Sequence, residues 1–494
     1  MAAEAPIISV NPRIITGTSG LNLGVTHTQV NWESGNPMTV ARARDLLRPV
    51  LNIQNQSIMG WGASRVLQSS PSSTYDFSSL DERVALMRSL AGEMALTLCT
   101  APGWMKTSGQ DWKMNDRVAD DHVTDFANLC QALARQYPDV RYFVVWNEMK
   151  GYWNSSIVNS DGSQGNWDYV KYTTLYNAVY RAIKSVRPDA KVGGFYLPVA
   201  GDASSTRGYS GSGTQIPLIP RDLDCLNYWL SNKAGADFIA VDRWLAAFDN
   251  PNVLSEADQL ALTWTYQAVL QAIRAKTSLP IWYSEYYTAS YDAGASQFLA
   301  CAEASIYSWM IRGAGTSPVT ALLWNPSEGE SGVAHYLFSS TSDSAGAQPT
   351  PHYSVFQWFH DYFGRGTELC QATSSDPAVE VLASDLKTLL INKLNSSRTV
   401  TVNGTDYLLT GYAVMLIDTP HTPPRLSLSL TGAELRLTWP GWASSYVPYT
   451  ATNLHSSTSW QPLTSIPRLS NGVFSVTVAL AVTNGPQFFQ LRSL

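Results

Sequence analysis

Short apolar runs rich in β-branched residues alternate with amphipathic segments from about residue 20 to residue 365. The runs typical of strands lie at 21–28, 57–63, 94–101, 142–148, 192–197, 237–244, 281–286 and 320–325. The segments with helical spacing of hydrophobic residues include 79–90, 121–137, 167–186, 221–233, 255–276, 295–312 and 352–363. Eight strand–helix units predict a closed (β/α)8 barrel over 17–365. An open doubly wound sheet is the alternative, but no G-x-G-x-x-G follows the first strand.

The hydrophobic period changes from 3.6 to 2 after the last predicted helix. Strands are predicted at 379–383, 388–393, 399–402 and 411–417, and they indicate a small β-sandwich over 366–418 that includes part of 1–16. A Pro-rich linker at 419–425 precedes a fibronectin-like β module over 426–494. The predicted fold class is therefore α/β, a TIM barrel with an accessory β-sandwich and a small C-terminal all-β module.

Charge and composition narrow the classes of partner. Charged residues make up 15% of the 494 residues, against about 25% in an average soluble protein. The net charge is −6 and no basic run occurs, which argues against a nucleic-acid or anionic-membrane partner. The 17 Trp and 24 Tyr residues offer flat surfaces on which sugar rings can stack. A secreted or periplasmic protein that handles neutral polar ligands fits this composition, although its first residues lack signal-peptide features.

Cofactor and metal chemistry has no support in the sequence. The five cysteines are dispersed, no C-x-x-C occurs, and no His/Cys cluster has zinc spacing. We expect buried free thiols, no metal and no cofactor. The oligomeric state is left open.

Two glutamates end predicted strands that lie across a barrel from one another. The fourth strand ends Phe143-Val-Val-Trp-Asn-Glu148, and the seventh ends Ile281-Trp-Tyr-Ser-Glu285. Active sites of such barrels lie at the carboxyl ends of the strands. Hydrolysis of an acetal with retention requires two carboxyl groups about 5–5.5 Å apart, one to donate a proton and one to attack the anomeric carbon.

These residues resemble a known group of enzymes. Trp146-Asn147-Glu148 together with Ser284-Glu285 resembles the signature of the clan A retaining glycoside hydrolases. The resemblance implies that Glu148 is the acid/base, that Glu285 is the nucleophile, and that Asn147 binds the 2-hydroxyl of the sugar.

Within the clan, the chain is similar to glycoside hydrolase family 39, the β-xylosidase and α-L-iduronidase family, over roughly residues 20–418. The stretches that carry this similarity are Leu23-Gly-Val-Thr-His27, Leu98-Cys-Thr-Ala-Pro-Gly-Trp104-Met105, and residues 167–180 with Val192-Gly-Gly194. Two positions depart from the family. Asp242-Arg243-Trp244 ends strand six where His or Tyr is usual, and Gly60-Trp61-Gly62 stands where strand two commonly ends in Arg.

Further residues at predicted strand ends are candidates for substrate binding. Trp324 is expected beneath the sugar, and His27 is expected to bond a sugar hydroxyl or to be a structural group. Asp242 and Arg243 face opposite sides of a strand, so one of them points inward. The other tryptophans at or just past strand ends are Trp61, Trp104, Trp153 and Trp244. Glu328 and Glu330 are the rivals to Glu148 as the acid.

The leading hypothesis is a retaining glycoside hydrolase, β-xylosidase-like, that acts on an oligosaccharide or polysaccharide. An endo-acting glucanase is the alternative among enzymes. A non-catalytic carbohydrate-binding protein is the alternative of another class, and the intact glutamate pair speaks against it. Because few Lys or Arg residues occur at strand ends, a neutral sugar is expected unless Arg243 points into the pocket.

Overall fold

The computed structural model describes residues 5–28, 32–199, 218–245, 255–287, 297–315, 317–329, 336–420, 424–431, 434–441, 443–444, 446–454, 460–470, 473–479 and 486–493. Its strands up to residue 323 are β1 (Ile7–Thr18), β2 (Leu21–Thr26), β3 (Ile53–Ser57), β4 (Glu93–Leu98), β5 (Tyr142–Val145), β6 (Trp153–Val158), β7 (Gln164–Trp167), β8 (Lys191–Pro198), β9 (Phe238–Trp244), β10 (Ile281–Tyr287) and β11 (Val319–Leu323). A closed parallel barrel is formed by β2, β3, β4, β5, β8, β9, β10 and β11 in that order around the ring. The predicted (β/α)8 fold is confirmed.

Helices follow the barrel strands. They are α1 (Pro37–Leu47), α2 (Ser78–Ser89), α3 (Val123–Gln136), α4 (Tyr169–Val186), α5 (Pro220–Asn232), α6 (Glu256–Ala261), α7 (Thr265–Arg274), α8 (Gln297–Ala314) and α9 (Pro351–Phe363). The single helix predicted over 255–276 is two helices, of which α6 begins with a capping box between Ser255 and Asp258. No helix in these ranges is long and apolar enough to cross a bilayer.

The second barrel strand lies before its predicted position. The sequence predicts residues 57–63, whereas β3 covers Ile53–Ser57. Its sequence Ile-Gln-Asn-Gln-Ser is polar, yet every residue is buried, because its amides bond inside the fold. Asn55, for example, bonds to Thr26 and Thr97 on the two flanking strands. The residues predicted instead as strand contain a turn, in which Gly60, Trp61 and Gly62 all have positive φ.

The barrel interior is a packed core. One cluster of buried side chains takes a member from nearly every barrel strand, namely Ile53, Ala95, Val144, Tyr196, Phe238, Ala240, Trp282 and Leu322. Phe238 and Trp282 stack at the centre with their rings 4.2 Å apart. Since side chains alternate along a strand, Asp242 shares the inward face of β9 with Phe238 and Ala240, whereas Arg243 faces the helices.

Two further sheets follow the barrel. Their strands are β12 (Glu368–Ser374), β13 (Val379–Ala383), β14 (Lys387–Asn392), β15 (Arg398–Val402), β16 (Thr405–Leu409) and β17 (Val414–Asp418). The first sheet has the order β12-β1-β15-β16 and the second β13-β14-β17. A shared core that includes Ile8, Val381, Leu390 and Val400 joins them. The predicted accessory sandwich, with its strand from the first residues, is present.

The remaining strands form two small sheets. They are β18 (Ser427–Thr431), β19 (Glu434–Pro440), β20 (Tyr446–Ala451), β21 (Gln461–Pro462), β22 (Arg468–Ser470), β23 (Val473–Ala479) and β24 (Phe488–Ser493). The orders are β18-β19-β23-β22 and β21-β20-β24. Leu437, Trp439 and Val476 lie in their common core. The all-β character predicted for this part is confirmed, and the division of the chain at residues 365 and 425 stays a prediction.

Candidate active site

A strained turn presents Glu148 at the mouth of the barrel. Directly after β5, the fourth barrel strand, Trp146, Glu148 and Met149 have φ values of 67°, 49° and 48°. Non-glycine residues rarely adopt such values, and they cluster at functional sites. The turn is held by its own side chain, because Trp146 Nε1 donates to the carbonyl of Lys150 at 2.9 Å. The Trp146 ring also packs edge-on against Phe126.

Three carboxyl groups meet at this mouth. Glu285 lies on β10, the seventh barrel strand, where its Cα pairs with that of Asp242 on β9. Glu148, Asp242 and Glu285 each contribute a carboxylate oxygen to a group in which these atoms lie within 4.8 Å of one another. Their side chains are buried, with exposed fractions of 3%, 0% and 7% for the whole residues. The two predicted glutamates are therefore brought together, with an aspartate beside them.

One ammonium group balances part of this negative charge. Lys150 Nζ lies 2.5 Å from Glu148 Oε2 and 5.2 Å from the centre of the Trp61 ring. Burial raises the pKa of Asp242 well above its usual value, and the neighbouring Glu285 and Glu148 raise it further. Burial also raises the pKa of Tyr196, with Asp242 and both glutamates contributing. An ionised Asp242 is thus strongly disfavoured.

The chemistry open to this site is that of carboxyl groups. Among the described residues, these three carboxylates are the only acidic cluster with the spacing of a cation site, and the Lys150 ammonium already lies against one of them. All five cysteines are free and buried. Burial raises the pKa of the nearby Cys99 thiol to about 12, so it is not an ionised nucleophile near neutral pH.

Aromatic side chains surround the carboxyl groups. Trp61, Trp244 and Trp324 form one cluster at the ends of β3, β9 and β11, with Trp61 and Trp324 edge to face at 5.7 Å. Lys150, above the Trp61 ring, connects this cluster to Glu148. Three of the predicted tryptophans therefore lie together at the mouth of the barrel, next to Lys150 and the carboxyl groups.

Trp153 belongs to a second part of the mouth. A cavity of about 300 Å³ is lined by Glu148 and Lys150 together with Asn115, Gly151, Trp153, Trp167 and Pro198. Trp153 and Trp167 come from the hairpin β6–β7, which the sequence analysis did not predict. Their rings are edge to face at 5.3 Å, and Trp153 is 45% exposed. The cavity offers an aromatic wall directly beside Glu148.

Three predicted site residues are engaged elsewhere. His27 is fully buried and bonds to Gln54 at 2.9 Å, and burial followed by the charge of Arg83 lowers its pKa to about 3. Trp104 donates to the carbonyl of Gln68. Arg243 lies on the outer face of β9 and donates to the carbonyl of Val199. Side-chain alternation explains Arg243, because its neighbour Asp242 takes the inward position.

Two other polar groups at the mouth lack a hydrogen-bond partner among the described residues. The Asn147 amide Nδ2 and the Ser284 hydroxyl are buried, and neither has a hydrogen-bond partner in the described parts of the chain. A buried donor without a partner costs free energy, so such groups are typical of binding sites. The sequence analysis gave Asn147 a binding role, identified Lys150 only as one of the few basic residues at strand ends, and did not identify Tyr196 as part of the site.

The two carboxylates that rival Glu148 as the acid have less support from the structure. Glu328 accepts a hydrogen bond from the Ser340 amide at 3.0 Å, which ties it to the neighbouring loop. Glu330 lies outside the described residues.

Comparisons with known proteins show what the fold resembles. No family model matches the sequence, and no curated protein is significantly similar to it. Solved structures do share its fold. SrfJ from Salmonella typhimurium has a TM-score of 0.56 at 13% identity, covering 84% of this chain and 92% of its own. A monomeric β-xylosidase from Caulobacter crescentus has a TM-score of 0.52 at 14% identity, with 99% and 100% covered.

A third structure is the catalytic domain of GH30 xylanase C from Talaromyces cellulolyticus, with a TM-score of 0.50 at 12% identity, covering 99% of this chain and 100% of its own. At these identities the similarity shows the fold alone. The structural neighbours include a GH30 xylanase and a β-xylosidase, and the finer resemblance to family 39 is not shown by them.

Proposed function

We propose that this protein is a retaining glycoside hydrolase in which Glu285 is the nucleophile and Glu148 the acid/base. The observation that carries the proposal is the spacing of the two buried glutamates, each of which places one carboxylate oxygen within 4.8 Å of an oxygen of the other at the mouth of the barrel. Retaining enzymes separate these groups by about 5–5.5 Å, whereas inverting enzymes leave about 6.5–9.5 Å for a water molecule. The short spacing favours direct attack by a carboxylate.

The proposed reaction has two steps. In the first, Glu285 attacks the anomeric carbon while Glu148 gives its proton to the leaving oxygen. In the second, Glu148 removes a proton from water, which displaces Glu285 and restores both groups. Lys150, at 2.5 Å, stabilises Glu148 when it is ionised between the steps. Asn147, with its free buried amide, is proposed to bond the 2-hydroxyl.

The substrate is proposed to be a neutral sugar unit. Arg243 faces away from the mouth, and Lys150 is already paired with Glu148, so neither offers an uncommitted charge to a uronic acid. The cluster of Trp61, Trp244 and Trp324 supplies an apolar wall for the sugar to be cleaved. The cavity with Trp153 would take the leaving part of the substrate, because Glu148 lines it.

A β-xylosidase-like activity is the first choice, and an endo-acting glucanase or related hydrolase is the alternative. Among structures of the same fold, one is named a β-xylosidase and one an endo-β-1,6-glucanase. A panel of aryl glycosides and polysaccharides separates the two. Release of single sugars from chain ends supports the first choice, and a rapid fall in polymer size supports the second. Action on such polymers fits a secreted or periplasmic enzyme, which we propose as its setting.

The assignment of roles is tested by two variants. Glu285→Ala should abolish turnover of every substrate, because no glycosyl-enzyme can form. Glu148→Ala should spare the first step on an aryl glycoside with an acidic leaving group, while natural linkages lose roughly 10²- to 10⁴-fold, the contribution of general acid catalysis. Azide should partly restore Glu148→Ala by attacking the intermediate without a base.

Glu328→Ala serves as the control, because Glu328, in the loop after β11, is the rival acid that the sequence offers. Glu328 would be the acid if Glu148→Ala lost activity equally on activated and natural substrates. In that case Glu328→Ala should be the variant that loses more activity on natural linkages than on activated ones. A wild-type protein that binds sugars but cleaves none of the panel would instead be a carbohydrate-binding protein.

A further inference from the structure

Asp242 is a fully buried acid, and the one ammonium group near it, Lys150, lies against Glu148 instead. The residue has no exposed surface, and neither carboxyl oxygen has a hydrogen-bond donor in the parts of the chain that the structure describes. An ionised carboxylate in such a place costs several kcal/mol, on the order of the penalty for any buried unpaired ion. A protonated carboxyl group avoids this cost.

The groups that face Asp242 lead to the same conclusion. Glu285 on β10 and Glu148 after β5 bring two carboxylates to within 4.8 Å of it. Tyr196 on β8 contributes a phenol that is itself hard to ionise, and Lys150 contributes the positive charge, which lies against Glu148. Like charges at these distances disfavour a third ionised carboxyl group.

Asp242 and Glu148 each bring one carboxylate oxygen to within 4.8 Å of the other. A hydrogen bond between them requires a proton on one of the two, since ionised carboxylates only accept. Lys150 favours the ionised form of Glu148, and burial favours the neutral form of Asp242. We propose, on the basis of the function proposed above, that Asp242 and Glu148 share one proton and together act as the acid of the site. Asp242 holds and positions the proton in the resting protein, and Glu148 donates it to the leaving oxygen of the substrate.

Protons and charges are conserved in this arrangement through both steps of the reaction. Before reaction, Glu285 carries −1, the Asp242–Glu148 pair carries −1 with its one proton, and Lys150 carries +1. When the glycosyl-enzyme forms, the C–O bond to the leaving group breaks, Glu285 becomes a neutral ester, and the pair gives its proton to the leaving oxygen and carries −2. The net charge of the buried site is −1 throughout. Attack by water then returns one proton to the pair and the negative charge to Glu285.

The kinetic test uses Asp242→Asn, which keeps the shape of the side chain and removes its proton. On a natural linkage, the basic limb of the kcat/KM profile should move to lower pH by at least about one unit, a tenfold loss on that limb, with activity retained at acidic pH. On an aryl glycoside with an acidic leaving group, whose first step needs little protonation, the limb should not move. Asp237→Asn is the matched control, because Asp237 precedes the same strand and pairs with Lys184 and Lys191 at the opposite end of the barrel.

A uniform loss in Asp242→Asn at every pH and on both substrates would overturn the proposal and leave Asp242 a packing residue. Infrared spectroscopy provides a readout that does not depend on activity. At pH 7 to 8 the wild-type protein and Asp237→Asn should show the carbonyl stretch of a protonated carboxyl group that Asp242→Asn lacks. Absence of that difference overturns the shared proton, whether or not the protein cleaves sugars. Its presence in a protein without glycosidase activity would refute the proposed function and leave the protonated Asp242 standing.

Discussion

Lys150 and Glu148 form an ion pair of 2.5 Å between Nζ and Oε2 in a largely buried setting. The two residues are only two positions apart, and the turn with positive φ at Glu148 and Met149 brings their side chains together. An ammonium at this distance favours the ionised carboxylate. The group proposed to donate a proton is thus held next to a positive charge that opposes its protonation. This is why we propose that the neighbouring Asp242 holds the shared proton.

Replacing Lys150 tests this relationship. In Lys150→Met, Glu148 should hold its proton to higher pH, so the basic limb of kcat/KM should move upward by one unit or more, in the opposite direction to Asp242→Asn. The second step should slow, because Glu148 is less often the base, and burst kinetics with an aryl glycoside would detect this. Lys150→Arg, which keeps the charge, should restore the wild-type limb. A limb that stays in place in Lys150→Met would show that the ion pair does not control the proton.

Asn147 should act in the transition state rather than in the resting protein. Its buried amide has no protein partner among the described residues, so Asn147→Ala removes no internal bond and should leave the melting temperature nearly unchanged. The kcat/KM for a glycoside with a 2-hydroxyl should fall on the order of tenfold or more, since each 1.4 kcal/mol corresponds to a factor of ten. A 2-deoxy glycoside should show a far smaller effect. The same loss on both substrates would exclude contact with that hydroxyl.

Trp153 should contribute to binding of the leaving part of the substrate. In Trp153→Ala, KM for an oligosaccharide should rise by about 2- to 10-fold, as expected when a stacking contact of about 0.5–1.5 kcal/mol is lost. A glycoside with a small leaving group should be cleaved almost as before. Trp264→Ala is the control, because Trp264 is also partly exposed but lines a cavity between α6 and the sandwich. Similar changes in both variants would argue against a role for the cavity that contains Glu148.

His27 should make the protein sensitive to acid. The native state keeps His27 neutral down to its lowered pKa of about 3, whereas the unfolded chain takes up the proton near pH 6.5. Between these values the unfolded state binds more protons, so stability falls as the pH falls, by about 3 kcal/mol from pH 6.5 to 4 for this group. Urea unfolding of His27→Gln should show a correspondingly smaller difference between pH 7 and pH 4. An unchanged slope in His27→Gln would contradict the assignment.

The sequence by itself determined the barrel and the sandwich, and it predicted that Glu148 and Glu285 meet at one rim, which the structure shows. Periodicity reports which face of an element is buried, so strands such as 281–286 and helices such as 352–363 were predicted within a few residues of β10 and α9. Glu148 and Glu285 were found because both end apolar strands, and a closed barrel brings all strand ends to one rim.

The pattern of hydrophobic residues did not predict a strand where polar residues are buried. In β3, Gln54 and Asn55 satisfy their amides through partners distant in sequence, so a strand inside the barrel appeared as a polar loop. The hairpin β6–β7 was missed, and with it the position of Trp153 in the cavity beside Glu148.

Only the tertiary structure decided how the charges at the mouth combine. The sequence showed that Asp242 and Arg243 face opposite sides of a strand, but not which of them faces inward. Asp242 takes the inward position because it shares a face of β9 with the interior residues Phe238 and Ala240. A register shift in β10 between Tyr283 and Glu285 then sets Glu285 beside Asp242. The local sequence likewise does not reveal that the loop after β5 places Glu148 and Lys150 next to Asp242 and Glu285. The protonation of a carboxyl group depends on burial and on charges within a few ångströms, and those distances exist only once the barrel has closed.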